Sequence, residues 1–414
     1  MSEASGIQVV AAGFATLACW GLVSDRLGRW NITAPIAFVA AGLVLANPPV
    51  SAIHVSLSSQ SVRDVAEIAL AVVLFSDAST VKVGALRRDY ALAGRLLLIG
   101  LPLTIALGTV IAHTLVPGIS WAVSAIIGTA VAPTDAALGA AIMSDRDIPS
   151  RLRRALNVES GLNDGIATPF VNYFLAAAVA GTALATNAGH QPLVELAVGV
   201  VVGALIGGVG GWAMNAARTH RLSSAPSRSV GVAALSVLAY SLVVAIDGNG
   251  FVAAFVAGLA YSASTTAVHG EVERDFTEEV GGVLSAVVWF LFGTLAVGVL
   301  RHATWHDVAF ALLALTVVRM VPVALSLLGT GLDRGTVALL GWFGPRGLAS
   351  VVFGLLAFDT LPSGDGQQAL ATIATTVLLS VVLHGASAAP LGRRFARTHP
   401  VATGTDTDTG TSDG

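Results

Sequence analysis

The sequence predicts an all-α polytopic membrane protein of about 13 transmembrane helices, built as two inverted six-helix repeats with interrupted, crossing fifth and twelfth helices. Three observations predict it. The 414 residues are 54% hydrophobic and only 11% charged, less than half the charge of an ordinary soluble domain, and mean hydropathy is +0.78. Apolar stretches of span length recur along the whole chain. The basic residues alternate: of 22, 17 fall in one set of loops and only Arg63 and Arg301 in the other, with Arg95, Arg319 and Arg346 inside spans. One wrong span would flip the basic loops from side to side beyond it, so the split supports the count. It also puts the N-terminus outside and the C-terminus in the cytoplasm.

In order, the spans are expected at 6–24, 32–47, 64–81, 90–115, 119–142, 153–181, 192–216, 229–246, 249–263, 280–300, 306–328, 335–358 and 366–390. The first is not a cleavable signal: it has no basic residue before it, carries Glu3, and is long enough to cross. The first repeat covers about 6–181, a linker span 192–216, and the second repeat about 229–390, all within one transmembrane unit over 1–400. Residues 401–414 are Thr, Gly and Asp with almost no aliphatic side chain, the composition of a disordered cytoplasmic tail. The lone Cys19 excludes a disulfide framework.

Six, one and six spans place the fifth and twelfth in matching positions. The fifth carries Ala132-Pro133-Thr134-Asp135, and the twelfth carries Gly341-Trp342-Phe343-Gly344-Pro345-Arg346-Gly347. Proline removes a backbone donor and glycine permits unwinding, so both helices should break there. Paired interruptions in inverted repeats mark the binding site of many secondary transporters.

The sixth span supplies the chemistry. Ser160, Asn163 and Asp164 are spaced i, i+3, i+4 and share one helix face, which Glu159 borders. Ionisable groups at membrane depth are costly and default to a functional role. A carboxylate, hydroxyls, an amide carbonyl and the freed backbone carbonyls around Thr134 and Asp135 form an oxygen-rich cage for a small monovalent cation. Burial disfavours the charged form of a carboxylate, so a proton and a metal cation compete for Asp164. If Asp164 alone changes charge, the exchange is one for one and electroneutral; an Asp at Asn163 would add a second titrating group. Arg346 and Arg319, both inside spans, need carboxylate partners. Glu159 is expected to pair with Arg346, with Arg319 joining the network. Arg95 reads as a residue snorkelling to the interface. Asp77 reads as an accessory cation-attracting group or an interfacial residue near Lys82. His113 and His384 read as packed or interfacial. No phosphate loop, His/Cys metal spacing or potassium filter is present, which argues against an ATP-driven pump or an enzyme.

At these residues the chain resembles the NhaP-type sodium:proton antiporters of the monovalent cation:proton antiporter-1 family. The segments are Ala132 to Asp135, Glu159-Ser160-Gly161-Leu162-Asn163-Asp164-Gly165, Gly250 to Leu259 and Gly344 to Gly347. The Asn163-Asp164 pair resembles the signature of the electroneutral members. The resemblance implies that Asp164 binds cation and proton, that Thr134 and Ser160 supply oxygens, and that Asp135 acts directly or through water. It further implies that Asn163 holds the geometry, Glu159 and Arg346 pair, and Asp77 matches an acidic residue some members place at the cation. The expected partners are Na+ or Li+ (or K+), H+, the lipid bilayer of the cell membrane and a second copy in a homodimer that works by alternating access. No cofactor and no nucleic acid are expected. Ala136, Ser76 and Pro345 depart from the residues members often carry there. The other readings are a potassium:proton antiporter, a gated ion channel and an organic-acid transporter.

Overall fold

The computed structural model describes residues 3–47, 50–53, 60–81, 91–135, 138, 148–181, 191–265 and 271–398. Among them the helices fall into thirteen successive segments that track the expected spans. The first repeat holds α1 (Glu3–Gly28), α2 (Ala34–Ala46), α3 (Gln60–Thr80), α4 (Ala91–Leu115), α5 (Trp121–Ala130) and α6 (Ser150–Val179). Next comes the linker α7 (Gln191–Thr219). The second repeat holds α8 (Ala225–Val244), α9 (Gly250–Ser264), α10 (Glu271–Leu300), α11a (Trp305–Leu315), α11b (Val317–Ser326), α12a (Arg334–Trp342), α12b (Leu348–Thr360) and α13 (Ser363–Thr398). Corresponding helices of the two repeats lie seven places apart in the order, an odd offset that suits inverted repeats. The second half of the fifth span (136–142, save residue 138), the basic residues Lys82, Arg87, Arg88 and Arg146, and the tail 401–414 lie outside the described residues.

Among the described residues, seven helices are long and apolar enough to cross unaided, whereas α2, α5, α9 and α12b are shorter. The shortness of α5 and α12b follows from the breaks beside them. Ser120 opens α5 by accepting the Val123 N–H, and Asp333 opens α12a by accepting from Gly335 and Thr336. Each helix then stops where proline and glycine were expected to stop it.

Two features were not expected. The eleventh span is interrupted: Thr316 leaves helical geometry (φ −113°, ψ −87°) and separates α11a from α11b. The fourth span contains one wide turn, Leu96–Gly100, of the π type that often marks a local adjustment.

Close packing comes from small residues. Gly199, Gly203 and Gly207 line one face of α7, where an added Cβ would strike the backbone carbonyls of Asn249, Ala253 and Ala257 of α9. Gly42 of α2 and Gly293 of α10 meet each other's helix backbones in the same way. Without water to drive helices together in lipid, such backbone contact is how they associate. The largest apolar cluster joins α2, α3, α5, α10, α11a, α12b and α13 around Phe38, Leu70, Phe290, Phe310 and Phe353.

Candidate functional site

Two unwound segments, 131–135 and 343–347, cross at the centre of the site. They bond directly to one another: the Asp135 N–H donates to the Pro345 carbonyl at 2.8 Å. The Asp135 carboxylate accepts the Leu348 N–H at 3.1 Å and the Leu138 N–H at 3.3 Å. It therefore caps α12b, placing negative charge on the positive end of that half-helix. Gly347 makes this possible, because any Cβ there would overlap the Asp135 carboxylate. The sequence placed Asp135 at the site but did not show this capping bond.

Arg346 performs the complementary task. It is fully buried, and its guanidinium donates to the carbonyls of Ala132 (3.0 Å), Pro133 (3.3 Å) and Ala314 (3.2 Å). The first two are orphans of the α5 break; the third sits at the end of α11a, two residues before the break at Thr316. Buried carbonyls without partners are expensive, and one planar guanidinium satisfies three.

Here the sequence expectation is corrected. Glu159, 1% exposed, pairs with Arg319 rather than Arg346. Arg319 Nη1 lies 2.5 Å from Oε1 and Nη2 lies 2.8 Å from Oε2, a two-pronged bond that fits carboxylate geometry. Arg319 is only 2% exposed. The interruption at Thr316 puts Arg319 in the first turn of α11b, alongside α6, whereas Arg346 sits among unpaired carbonyls that need donors. No glycine or proline marks Thr316, so sequence reasoning had no signal for the swap.

α6 passes the crossing with its polar face inward. Ser160, Asn163 and Asp164 are 4%, 1% and 8% exposed. The Asn163 amide donates to Thr134 Oγ1 at 2.7 Å, and Thr134 Oγ1 lies 3.0 Å from Ser160 Oγ. Thus α6 is tied to the α5 break by three side chains. The remaining oxygen, Asn163 Oδ1, is buried with no donor. The Asp164 carboxylate likewise has no hydrogen bond or ion pair among the described residues, and Asp135 and Asp77 lie within electrostatic reach of it. Asp77 is half-buried on α3, which packs against α6 at Gly161. Phe255 of α9 rests on Gly165, one residue past Asp164. The structure brings together the nine residues expected at the site, with Glu159 held by Arg319 and Arg346 bound to carbonyls instead.

The arrangement is oxygen-rich, and among the described residues its two buried arginines are engaged elsewhere: Arg319 is held by Glu159, and Arg346 by carbonyls. Its chemistry suits binding a hard cation or a proton.

Comparison with known proteins bears on the same elements. A curated Na(+)/H(+) antiporter of Schizosaccharomyces pombe is 25% identical over 312 residues, covering 67% of this chain and 65% of the relative. Two further fungal antiporters are matched over only 42% and 38% of their length, so the chain spans less than two thirds of these relatives. The Na(+)/H(+) antiporter NhaP of Pseudomonas aeruginosa is 27% identical over 293 residues, 67% of each chain. Among solved structures, the sodium proton antiporter MjNhaP1 of Methanocaldococcus jannaschii superposes with a TM-score of 0.75 at 18% identity, over 95% of this chain and 99% of that one. The family model for the transmembrane sodium/hydrogen exchanger matches residues 12–394. That match takes in both repeats and both helix breaks, and the chain belongs to the sodium/hydrogen exchanger family.

Proposed function

We propose that the chain is a secondary antiporter that exchanges sodium or lithium for protons, one for one, at Asp164. The observation that carries this reading is the Asp164 carboxylate itself: only 8% exposed, without a hydrogen-bond donor among the described residues, and following in sequence Asn163, whose Oδ1 is buried and unpartnered. A buried carboxylate in that setting must be protonated or hold a cation. Either occupant leaves the site with the same charge. Proton and cation then displace one another, and because Asn163 does not titrate, each half-cycle moves the same charge. Thr134, Ser160 and Asn163 supply further oxygens, while Asp135 and Asp77 draw cations toward the site. Exchange proceeds by alternating access, in a homodimer in the cell membrane with the N-terminus outside. One antiporter unit spans 1–400, followed by a cytoplasmic tail over 401–414.

The test is proton flux in proteoliposomes under an imposed pH gradient, adding sodium, lithium or potassium in turn, with and without a membrane potential. Sodium- or lithium-driven flux that ignores the potential, and its loss in Asp164→Asn with folding intact, are expected. Exchange retained by Asp164→Asn removes that residue from the mechanism. A response to potassium alone changes the substrate; strong dependence on potential adds a second titrating group, Asp135 or Asp77. Silence with every cation returns the channel and organic-acid readings.

A further inference from the structure

The site as described leaves unused a set of polar groups behind the interrupted segment of α12. α13 presents Ser380, His384 and Ser387 to that segment at one-turn spacings. Ser380 Oγ accepts the backbone N–H of Arg346 at 2.7 Å and lies 3.1 Å from His384 Nδ1. On the other side of the ring, Nε2 lies 2.9 Å from the Trp342 carbonyl. The Trp342 indole N–H reaches Ser387 Oγ at 2.9 Å. Ser380 and His384 are 0% and 1% exposed.

The proton positions follow from the partners. A carbonyl only accepts, so His384 Nε2 carries the hydrogen that goes to Trp342. In a neutral ring Nδ1 is then an acceptor, and the Ser380 hydroxyl is its donor. Nδ1 also lies 3.0 Å from the Ser380 carbonyl, a contact that only a doubly protonated ring would use as a donor. Such a ring would put a third positive charge within reach of Arg346 and Arg319. The neutral ring completes one directed chain: Arg346 N–H to Ser380 Oγ, Ser380 O–H to Nδ1, Nε2–H to Trp342 carbonyl. Both ends of the chain lie on the same unwound stretch of α12. Trp342 is the last residue of α12a and Arg346 the residue that caps the α5 break. Their spacing sets where the Pro345 carbonyl meets the Asp135 N–H and where the Leu348 N–H meets the Asp135 carboxylate. Asp135 adjoins Thr134, which bonds to Ser160 and Asn163.

We propose that His384, acting through Ser380, is a positioning residue for the cation site: it fixes the two ends of the α12 interruption and so the register in which the two breaks meet. This role rests on the antiport reading given above. An imidazole is not needed as such; what is needed is one donor and one acceptor held about a ring's width apart.

The experiment uses full-length protein in proteoliposomes and measures the sodium dependence of proton exchange in wild type, His384→Leu, His384→Gln and Ser380→Ala, with Asp164→Asn as control. His384→Leu fills the space without hydrogen bonds; it should raise the apparent KM for sodium by about tenfold, the effect of roughly one lost hydrogen bond. His384→Gln, whose amide offers a donor and an acceptor, should restore it to within about threefold. Ser380→Ala should shift KM in the same direction, and combining it with His384→Leu should add less than the sum, because both act in one chain. Hydrogen–deuterium exchange of peptides covering 343–350 should speed up in His384→Leu and not in His384→Gln; it reports on the segment even where a variant reconstitutes poorly. An unchanged KM in His384→Leu overturns the proposal, as does equal damage in the Gln and Leu variants, which would mean the ring only fills space. Wild type without sodium-driven flux overturns the antiport reading and with it the role given to His384. Active wild type with unmoved His384 variants overturns the positioning role alone.

Discussion

Replacing Glu159 by methionine should destabilise the protein through Arg319. The carboxylate is 1% exposed and its partner 2%, and two hydrogen bonds of 2.5 and 2.8 Å join them. Removing one member of a buried pair strands the other charge, at a cost of about 3–5 kcal/mol. At 1.4 kcal/mol per decade, the unfolding equilibrium shifts by about two to three and a half powers of ten. Replacing both members by apolar residues of similar volume is often neutral. The double variant Glu159→Met/Arg319→Met should therefore recover most of the loss, whereas Glu159→Met/Arg346→Met should lose more, because it also orphans the carbonyls of Ala132, Pro133 and Ala314. The assay is reversible unfolding in mixed detergent micelles followed by circular dichroism. Rescue by the Arg346 change instead of the Arg319 change would refute the pairing, and a fully stable Glu159→Met would refute the argument that the pair acts as a clamp.

Two further outcomes can be checked. Asn163→Asp places a second carboxylate beside Asp164 and also breaks the bond to Thr134; exchange should become sensitive to membrane potential, measured by clamping the potential with valinomycin, and insensitivity would mean the new group does not change charge in the cycle. Gly207→Val should cost about 1–3 kcal/mol by driving a side chain into the Ala257 carbonyl, whereas Gly208→Val, with nothing within 4 Å, should be near neutral; equal melting temperatures for the two variants would disprove the close α7–α9 contact.

Much of this site was legible because membrane proteins advertise polar groups. Ser160, Asn163 and Asp164 stand out in an apolar run, and helix spacing alone puts them on one face. Pro133, Gly344 and Pro345 announce the two breaks through backbone chemistry. What could not be read was who satisfies whom. Nothing in the spacing of Glu159, Arg319 and Arg346 says which arginine reaches the carboxylate. That choice depends on the interruption at Thr316, which rests on no glycine or proline. Asp135 reads as a ligand because carboxylates bind cations, yet its carboxylate also terminates α12b, a bond across 213 residues of sequence. His384 reads as a packed ring, and its hydrogen-bonding role emerges only when α13 lies behind the break. The Gly199, Gly203, Gly207 face of α7 went unread, and its contact with the α9 backbone appears only in the fold.

The crossing of the two breaks bears on how the protein is made. Synthesis runs from the N-terminus, so α5 is translated and inserted long before the residues that complete it. Arg346 reaches the carbonyls of Ala132 and Pro133 across 214 and 213 residues, and Leu348 reaches Asp135 across 213. Until the twelfth span arrives, the carbonyls of Ala132 and Pro133 lack the Arg346 guanidinium, and the Asp135 carboxylate has the Leu138 N–H but not that of Leu348. The nascent first repeat must keep that segment wet, or shielded by the insertion machinery. Assembly of the two repeats is then the step that dries the site, and the last two spans of the chain act as its closing key. A ribosome that stalls before them leaves a membrane-inserted chain with a polar wound at its centre, which a quality-control protease can distinguish from the finished protein.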